Sequence, residues 1–178
     1  MNIKKIIWHK KYGEGKAFRC DGQSPLKNDI ALIQLEESLN STYMPACLPP
    51  KKKNYTGKLA SFYGWGLTVD PSDPPCNRNH TASPLLMTTN ATIISNEQCT
   101  KAKAIVRWCN PATNTVEKGA YYYEKEVFDD MICLESSGRG ICKGDSGGPT
   151  TTEVDGKHIL VGASSWSKGC GKVSIYCF

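Results

Sequence analysis

Positions 142–149 of the chain read CKGDSGGP, a serine set among three glycines. Glycine on both sides of Ser146 lets the backbone approach a bound group closely and adopt conformations that other residues avoid. The backbone N–H groups of Gly144 and Ser146 could then point together at one oxygen, as an oxyanion hole requires. This stretch therefore predicts a site that stabilises negative charge on an oxygen beside Ser146.

Two other interpretations fit a glycine-rich loop of this kind. One is a plain turn between two strands. The other is the nucleophile elbow of α/β-hydrolases, since positions 144–148 also match Gly-x-Ser-x-Gly, but that elbow leads directly into a helix. Here Gly147, Gly148 and Pro149 follow the serine, and the next three residues, Thr150–Thr152, favour strand over helix. The local sequence therefore excludes the elbow, while the plain turn stays open at this point.

Outside the loop, short apolar runs alternate with Gly, Pro and Asn clusters, and helical periodicity is scarce. The predicted strands are Ile3–His9, Ile30–Leu35, Leu59–Trp65, Leu85–Ile94, Met131–Leu134, His158–Ser165 and Ser174–Cys177. One short helix is predicted from Asn96 to about Ala104, with Ser95 as N-cap and Gln98 completing a capping box. The polar stretches 68–84 and 106–126 are predicted to be surface loops. This pattern indicates an all-β barrel or sandwich.

Composition limits the kinds of partner. The chain has 178 residues, 39% of them hydrophobic and 22% charged, which is typical of one folded domain. A net charge of +5 is spread along the chain, and the one dense basic run, Lys51–Lys53, follows two prolines and is interpreted as a solvated turn. No nucleic-acid motif accompanies it, and no stretch approaches the roughly 20 apolar residues of a membrane span. We therefore expect neither nucleic acid nor membrane as a partner.

Cysteines and glycosylation motifs indicate the compartment. Nine cysteines are many for a cytosolic protein of this size, and none has the Cys-x-x-Cys spacing that zinc sites favour. We therefore expect a disulfide framework, no metal and no cofactor. Four Asn-x-Ser/Thr sequons begin at Asn40, Asn54, Asn79 and Asn90, as in secreted glycoproteins. The first sixteen residues contain no apolar run of signal-peptide length, so we expect the natural product to begin upstream.

Together these motifs resemble the trypsin and chymotrypsin family of serine endopeptidases, whose serine lies in Gly-Asp-Ser-Gly-Gly-Pro. Other segments occur in the family's order and extend the resemblance over nearly the whole chain. They are Ile6–His9 and Asn28–Leu32 (the strand before the catalytic Asp and the segment that holds it), Cys47–Pro49 (the linker between barrels), Gly64–Gly66 (the opening of the second barrel), Met131–Cys133 and Ser165-Trp166. The resemblance implies two six-stranded antiparallel β-barrels, with residues 1–50 as the remainder of an incomplete first barrel plus linker and residues 51–178 as the second.

The resemblance also implies catalytic roles. Ser146 is expected to attack the scissile carbonyl and form an acyl-enzyme, with Gly144 and Ser146 as the oxyanion hole. Asp29 is expected to orient an imidazole and stabilise its charged form. Asp145 is expected to pair with a new N-terminus that proteolytic activation sets free.

Specificity follows from the same resemblance. Gly140 stands where members that cleave after Arg or Lys keep an Asp, and without that carboxylate a cationic side chain would be buried unpaired. Ser167 and Ser174 stand where the pocket walls are commonly glycine, so we expect a narrower pocket that prefers apolar, small P1 residues. Gly140, Ser165, Trp166 and Ser167 form the expected substrate-binding set.

Two family disulfides are implied, Cys99–Cys133 and Cys142–Cys170, the second bracing the specificity pocket. Ala60 and Thr152 stand where many members carry a further bridged pair. The cysteines without an assigned partner are Cys20, Cys47, Cys76, Cys109 and Cys177. Because five is odd, at least one is expected to bond outside the chain, and Cys47 matches the cysteine that tethers the pro-segment in many relatives.

The family's catalytic histidine has no counterpart here. Nothing before Asp29 resembles Ala-Ala-His-Cys. His9 stands at a position that the family usually leaves exposed, His80 lies in the loop 68–84, and His158 lies beside a late strand, so none is expected to be the catalytic base. An Ile-Val-Gly-Gly-like start is also missing, and the chain stops where the family continues into a closing helix. We therefore expect a piece cut at both ends that exposes the interior of its first barrel, folds poorly alone and hydrolyses peptides very slowly.

Three functions remain in consideration. The leading one is a secreted serine endopeptidase made as a zymogen, with polypeptide substrates, and with protein inhibitors and an activating protease as further partners. The second is a catalytically inactive homologue that acts as a binding or regulatory module, and the third is a non-functional remnant. Ser146, Asp29 and Gly144 are all present, which favours the first, since inactive homologues usually lose such residues by substitution.

Overall fold

A computed structural model describes residues 2–12, 27–51, 53–70, 81–110, 112–122, 127–136, 138–167, 170–171 and 174–177. Within these residues it contains ten strands and one short helix. The elements are β1 (Ile3–Trp8), β2 (Ala31–Leu35), β3 (Leu59–Gly64), β4 (Met87–Ile94), α1 (Asn96–Lys101), β5 (Lys103–Asn110), β6 (Thr115–Tyr122), β7 (Met131–Glu135), β8 (Pro149–Val154), β9 (Lys157–Ser167) and β10 (Ser174–Cys177). The prediction of an all-β fold is confirmed.

Six of the strands form a closed antiparallel barrel in the order β10-β7-β4-β3-β8-β9. Alternate side chains point inward, as the two-residue period of a strand requires. The core includes Leu134 and Val161, which are 0% and 1% exposed, together with Phe62 and Ile93. Burying each such side chain contributes about 1.5–3 kcal/mol. The barrel therefore has a hydrophobic core of its own.

The first part of the chain contributes only two paired strands to the described structure. β1 and β2 form an isolated antiparallel sheet in which every residue of β1 is exposed. Trp8 is 65% exposed and Leu32 is 66% exposed. The expectation that the interior of the first barrel would be open therefore agrees with the packing of this sheet.

The segment that follows β2 reaches the barrel at Cys47. Its N–H donates to the carbonyl of His158 at 2.9 Å, and its carbonyl accepts from the N–H of Leu160 at 2.8 Å. This places Cys47 as a short parallel bridge beside β9. The predicted division of the chain near residue 50 stays a prediction.

Most predicted elements are confirmed, with strand ends within two residues. The capping box of α1 is present, since Ser95 Oγ accepts from Gln98 N–H and Gln98 Oε1 accepts from Ser95 N–H. The helix ends at Lys101, earlier than expected, because Ala102 takes an extended conformation and β5 begins at once. Among the described residues, no helix has both the length and the apolar character needed to cross a membrane.

The prediction of a surface loop over residues 106–126 was wrong for much of that stretch. β5 and β6 pair in register from Lys103↔Tyr122 to Asn110↔Thr115 and form a hairpin. Glu117 holds its two strands together, because its carboxylate accepts from Trp108 Nε1 at 2.9 Å and from Asn110 Nδ2 at 2.7 Å. The Trp108 ring lies so close to Gly119 that an added Cβ there would meet it at 3.1 Å. A hairpin with polar residues on both faces lacks the alternation that signals a strand.

The strand predictions also left out β8. Its three threonines, Thr150–Thr152, favour strand, and all three are buried in the barrel. Because these three buried positions are polar, the sequence of the strand does not show the alternation of apolar and polar residues. Thr152 is accommodated because its hydroxyl donates to the carbonyl of Leu59 at 2.7 Å.

Candidate active site

The loop that carries Ser146 is a tight turn tied to β9. Gly147 N–H donates to the carbonyl of Ser164 at 2.7 Å, and Ser164 N–H donates to the carbonyl of Gly148 at 2.9 Å. Gly148 N–H donates to the backbone carbonyl of Asp145 at 3.0 Å. An added Cβ on Gly148 would lie 2.6 Å from the carbonyl oxygen of Tyr63, so only glycine fits there. These bonds hold Ser146 on the surface at the top of the turn.

Two backbone N–H groups beside Ser146 remain available. Gly144 has φ +96°, a conformation that side chains other than glycine rarely adopt. Within the described structure, the N–H groups of Gly144 and Ser146 donate to no other group. Both residues are exposed, as is the serine side chain. The turn therefore presents two free donors next to an exposed hydroxyl.

Asp145 points away from the surface into a niche lined by glycines. Its Oδ1 accepts from the N–H of Gly66 at 2.7 Å, and its Oδ2 accepts from the N–H of Cys142 at 2.9 Å. A Cβ on Gly64 or Gly66 would collide with the carboxylate. This explains why the Gly-Trp-Gly segment 64–66 has glycine at both ends. Among the described residues, Asp145 forms no ion pair.

A cavity of about 440 Å³ lies beside this carboxylate. Gly140 and Asp145 both line it, as does Cys170 of the disulfide to Cys142. Asp70 also lines the cavity, and its Oδ2 accepts from the N–H of Cys170 at 2.8 Å. Sequence reasoning missed Asp70 because it lies in the predicted loop 68–84, and no signal in the sequence marks it.

Asp29 is held from the other side of the site by β9. The hydroxyl of Ser165 donates to Asp29 Oδ2 at 2.6 Å, across 136 positions of sequence. Ser164, the preceding residue, makes the backbone bonds to Gly147 and Gly148 described above. Two consecutive residues of β9 thus connect the aspartate and the serine loop. Sequence reasoning assigned Ser165 to substrate binding and missed this bond, which only the fold reveals.

The remaining members of the expected substrate-binding set lie at the end of β9. Trp166 and Ser167 are half-buried there. Ser167 and Ser174 are register partners between β9 and β10, so the two serines predicted to wall the pocket stand opposite each other.

The two described histidines are both exposed, and the backbone N–H of His9 donates to the carbonyl of Ile30, the residue after Asp29, at 3.2 Å. His9 is exposed after β1, where its Nδ1 accepts from the N–H of Lys11 at 3.2 Å. His158 is exposed at the beginning of β9. Neither forms a hydrogen bond with Asp29 or Ser146, and His80 lies outside the described residues.

Disulfides join Cys99 to Cys133 and Cys142 to Cys170, the two pairs expected from the sequence. Ala60 and Thr152 are register partners between β3 and β8, both buried, as expected of a position that other members bridge. Of the cysteines without an assigned partner, Cys47 is free and exposed and Cys109 is disulfide-bonded. Cys20 and Cys76 lie outside the described residues, and for Cys177 only the backbone is described.

Comparison with known proteins places the chain in a family. The sequence model of the family described as Trypsin matches residues 1–177. Complement C1s subcomponent from Rattus norvegicus is 33% identical over 158 residues, which cover 84% of this chain and 20% of that relative. The chain thus spans about a fifth of the length of this curated relative. The barrel, the serine turn and these matches agree, and the chain belongs to the trypsin family of serine endopeptidases.

Proposed function

We propose that the chain is the catalytic part of a secreted serine endopeptidase in which Ser146 is the nucleophile and Asp29 orients the general base. The observation that carries this proposal is the connection through β9. Ser164 bonds to the serine loop and Ser165 bonds to Asp29, so one strand holds both groups.

In the proposed reaction, Ser146 attacks the peptide carbonyl and the N–H groups of Gly144 and Ser146 stabilise the oxyanion. Each donor of this kind contributes about 3 kcal/mol to the transition state. The imidazole that Asp29 would orient has no counterpart in the sequence. We therefore expect the 178-residue chain to retain only the residual catalysis of an enzyme that lacks a triad member, about 10³–10⁴-fold over water.

Activation of a zymogen is proposed at Asp145. Both oxygens of this carboxylate accept backbone N–H bonds, and the cavity of about 440 Å³ lies against it. An α-amino group entering the cavity would pair with the half-buried carboxylate, where an ion pair is stronger than between fully exposed groups. Its arrival would stabilise the turn that presents Gly144 and Ser146.

Selection of apolar, small P1 residues is proposed from Gly140. Gly140 has no side chain, so it lacks the carboxylate that members cleaving after Arg or Lys keep at this position, and a cationic P1 group would not meet that partner. Ser167 and Ser174 stand opposite each other at the barrel strands that would flank the substrate.

Secretion is proposed from the disulfides and sequons together. The described structure contains the bonds Cys99–Cys133 and Cys142–Cys170. Asn40, Asn54 and Asn90 are exposed, so glycans attached there would project into solvent.

A catalytically inactive homologue that binds other proteins is the second candidate. The absence of a histidine bonded to Asp29 among the described residues favours it. Its activity would be zero under every condition, whereas a protease lacking only its base keeps a working nucleophile.

The experiment that tests the proposal is hydrolysis of short peptide esters that differ only in P1. We expect slow turnover by the full chain, faster after Ala or Val than after Arg or Lys. With imidazole added to supply the missing base, Ser146→Ala should abolish the imidazole-dependent part of the turnover, because the residual rate without a base does not pass through the nucleophile. Imidazole-dependent turnover that is unchanged in Ser146→Ala would contradict the nucleophile, and faster turnover after Arg would contradict the specificity.

A further inference from the structure

We propose that Asp130 is a positioning residue whose carboxylate holds the backbone of Asn28 and so sets Asp29 against Ser165. The inference rests on the proposed function, because it assigns a part in catalysis to Asp29. It adds a residue of the second barrel, outside every motif of the sequence, to the machinery of the site.

The contact itself is short and charge-assisted. Asp130 Oδ2 accepts from the backbone N–H of Asn28 at 2.6 Å, across 102 positions of sequence. Hydrogen bonds to an ionised acceptor are shorter and stronger than those between neutral groups. Asp130 Oδ1 is buried and has no partner among the described residues. Within the described structure, the backbone N–H of Asn28 is therefore the one hydrogen-bond donor to this carboxylate.

Asp130 lies in a turn that is held by hydrogen bonds and leads into a disulfide-bonded strand. It precedes β7 in a turn closed by the bond from Met131 N–H to the carbonyl of Phe128 at 3.0 Å. Asn96 Nδ2 donates to the same carbonyl at 3.0 Å and ties the turn to the start of α1. Cys133, three residues after Asp130 in β7, is fully buried and disulfide-bonded to Cys99. The Asp130 carboxylate on this turn can therefore hold the segment around Asn28 in one position.

Asn28 is the residue whose backbone N–H the Asp130 carboxylate holds. It has φ +58°, a left-handed conformation in a residue that is not glycine. Its side-chain Nδ2 donates to the carbonyl of Lys11 at 2.9 Å, beside the end of β1, and its own carbonyl accepts from Ile30 N–H at 2.8 Å. Lys27 adds a contact to the same turn, because its Nζ lies 5.6 Å from the centre of the Phe128 ring.

Asp29 follows Asn28 directly, so its position depends on two hydrogen bonds, one to Asp130 and one to Ser165. Asp130 holds the Lys27–Asn28 peptide, one residue before Asp29, and Ser165 holds the end of the Asp29 side chain. Removal of Asp130 would leave the Asn28 amide without its acceptor and free the left-handed turn to relax. The carboxylate of Asp29 would then meet Ser165 less often.

The test that needs no catalytic activity is a double-mutant cycle between Asp130→Ala and Ser165→Ala in the full chain, read from equilibrium unfolding. Ser165→Ala should lower the folding constant about tenfold in the parent and less than about threefold in the Asp130→Ala background. Asp130→Asn keeps an acceptor oxygen at the same place and should preserve the parent response. The neighbouring Asp129→Ala, which removes an exposed carboxylate without a hydrogen bond in the described structure, is the matched control.

Additive effects of Asp130→Ala and Ser165→Ala would overturn the proposal, because a merely structural residue does not change the effect of Ser165. If Asp130→Ala is too unstable for the cycle, Asp130→Glu replaces it. That change keeps the charge and displaces the acceptor by one methylene, so it should also reduce the coupling to Ser165. Coupling that survives in Asp130→Glu would equally contradict the proposal.

The second readout is ester hydrolysis by the same variants with imidazole added, because the position of Asp29 affects the rate only through a base that it orients. Asp130→Ala should lower kcat about tenfold or more with KM unchanged, since a small displacement of a catalytic group is costly, and Asp130→Asn should restore kcat. Equal kcat in parent and Asp130→Ala would overturn the positioning role. Absence of turnover in the parent would instead remove the proposed function, while the folding cycle would still decide whether Asp130 positions Asp29.

Discussion

The closed barrel and the β1–β2 sheet are built from similar apolar residues but bury them very differently. In the barrel, Leu134 is 0% exposed, whereas Leu32 in β2 is 66% exposed. The barrel is closed through six strands, and the sheet has only two. A two-stranded sheet is marginally stable in water unless further strands or a partner cover it. Closure, more than composition, therefore decides which part of this chain is stable by itself.

The same difference separates the two halves of the candidate site. Ser146, Gly144 and Asp145 lie in a turn that the barrel orders through its own strands. Asp29 comes from the open part of the chain and depends on bonds to Ser165 and, through Asn28, to Asp130. We therefore expect Ser146, the proposed nucleophile, to be well ordered, and the position of Asp29 to be more easily disturbed by substitutions.

The largest effect is expected from deleting core side chains in the two regions. Leu134→Ala should destabilise the protein by about 4 kcal/mol, because it removes a fully buried side chain and leaves a cavity. Leu32→Ala should cost less than about 0.5 kcal/mol, because that side chain is already in water. Urea unfolding measures both. A comparable loss in the two variants would mean that something covers the sheet in solution.

A smaller effect is expected from bridging strands with new disulfides. Ala60→Cys with Thr152→Cys joins register partners of β3 and β8 and should stabilise the oxidised protein by about 3 kcal/mol. Ile6→Cys with Ile33→Cys, at register partners of β1 and β2, is the matched pair in the open sheet. It should leave the unfolding of the barrel unchanged. Thermal unfolding with and without reductant measures both, and equal stabilisation would break the contrast between the two regions.

The sequence was informative where the signal is local. Ser95 and Gln98 predicted their capping box from a spacing of three residues, and most strands were visible as apolar runs. The hairpin β5–β6 was not, because polar side chains occupy both of its faces. β8 was missed because Thr150–Thr152 place hydroxyl groups in the core.

In the candidate site, too, the features with a local sequence signal were predicted and the long-range contacts were not. The glycines around Ser146 predicted its turn, because they are needed within a few residues of it. The partners Ser165 and Asp130 lie more than 100 positions from the residues that they hold. Contacts of this kind depend on how the strands are arranged in space, and no local pattern encodes them.

The account is tested most directly by finding which residue is acylated when the full chain is incubated with an activated ester of a small apolar acyl group. Imidazole is added to supply the missing base, and the protein is digested and analysed by mass spectrometry. We predict one acyl group on the peptide that contains Ser146, faster labelling with imidazole, and none of this labelling in Ser146→Ala. Acylation spread over exposed serines and lysines, unchanged in Ser146→Ala, would contradict the assignment of Ser146 as the nucleophile.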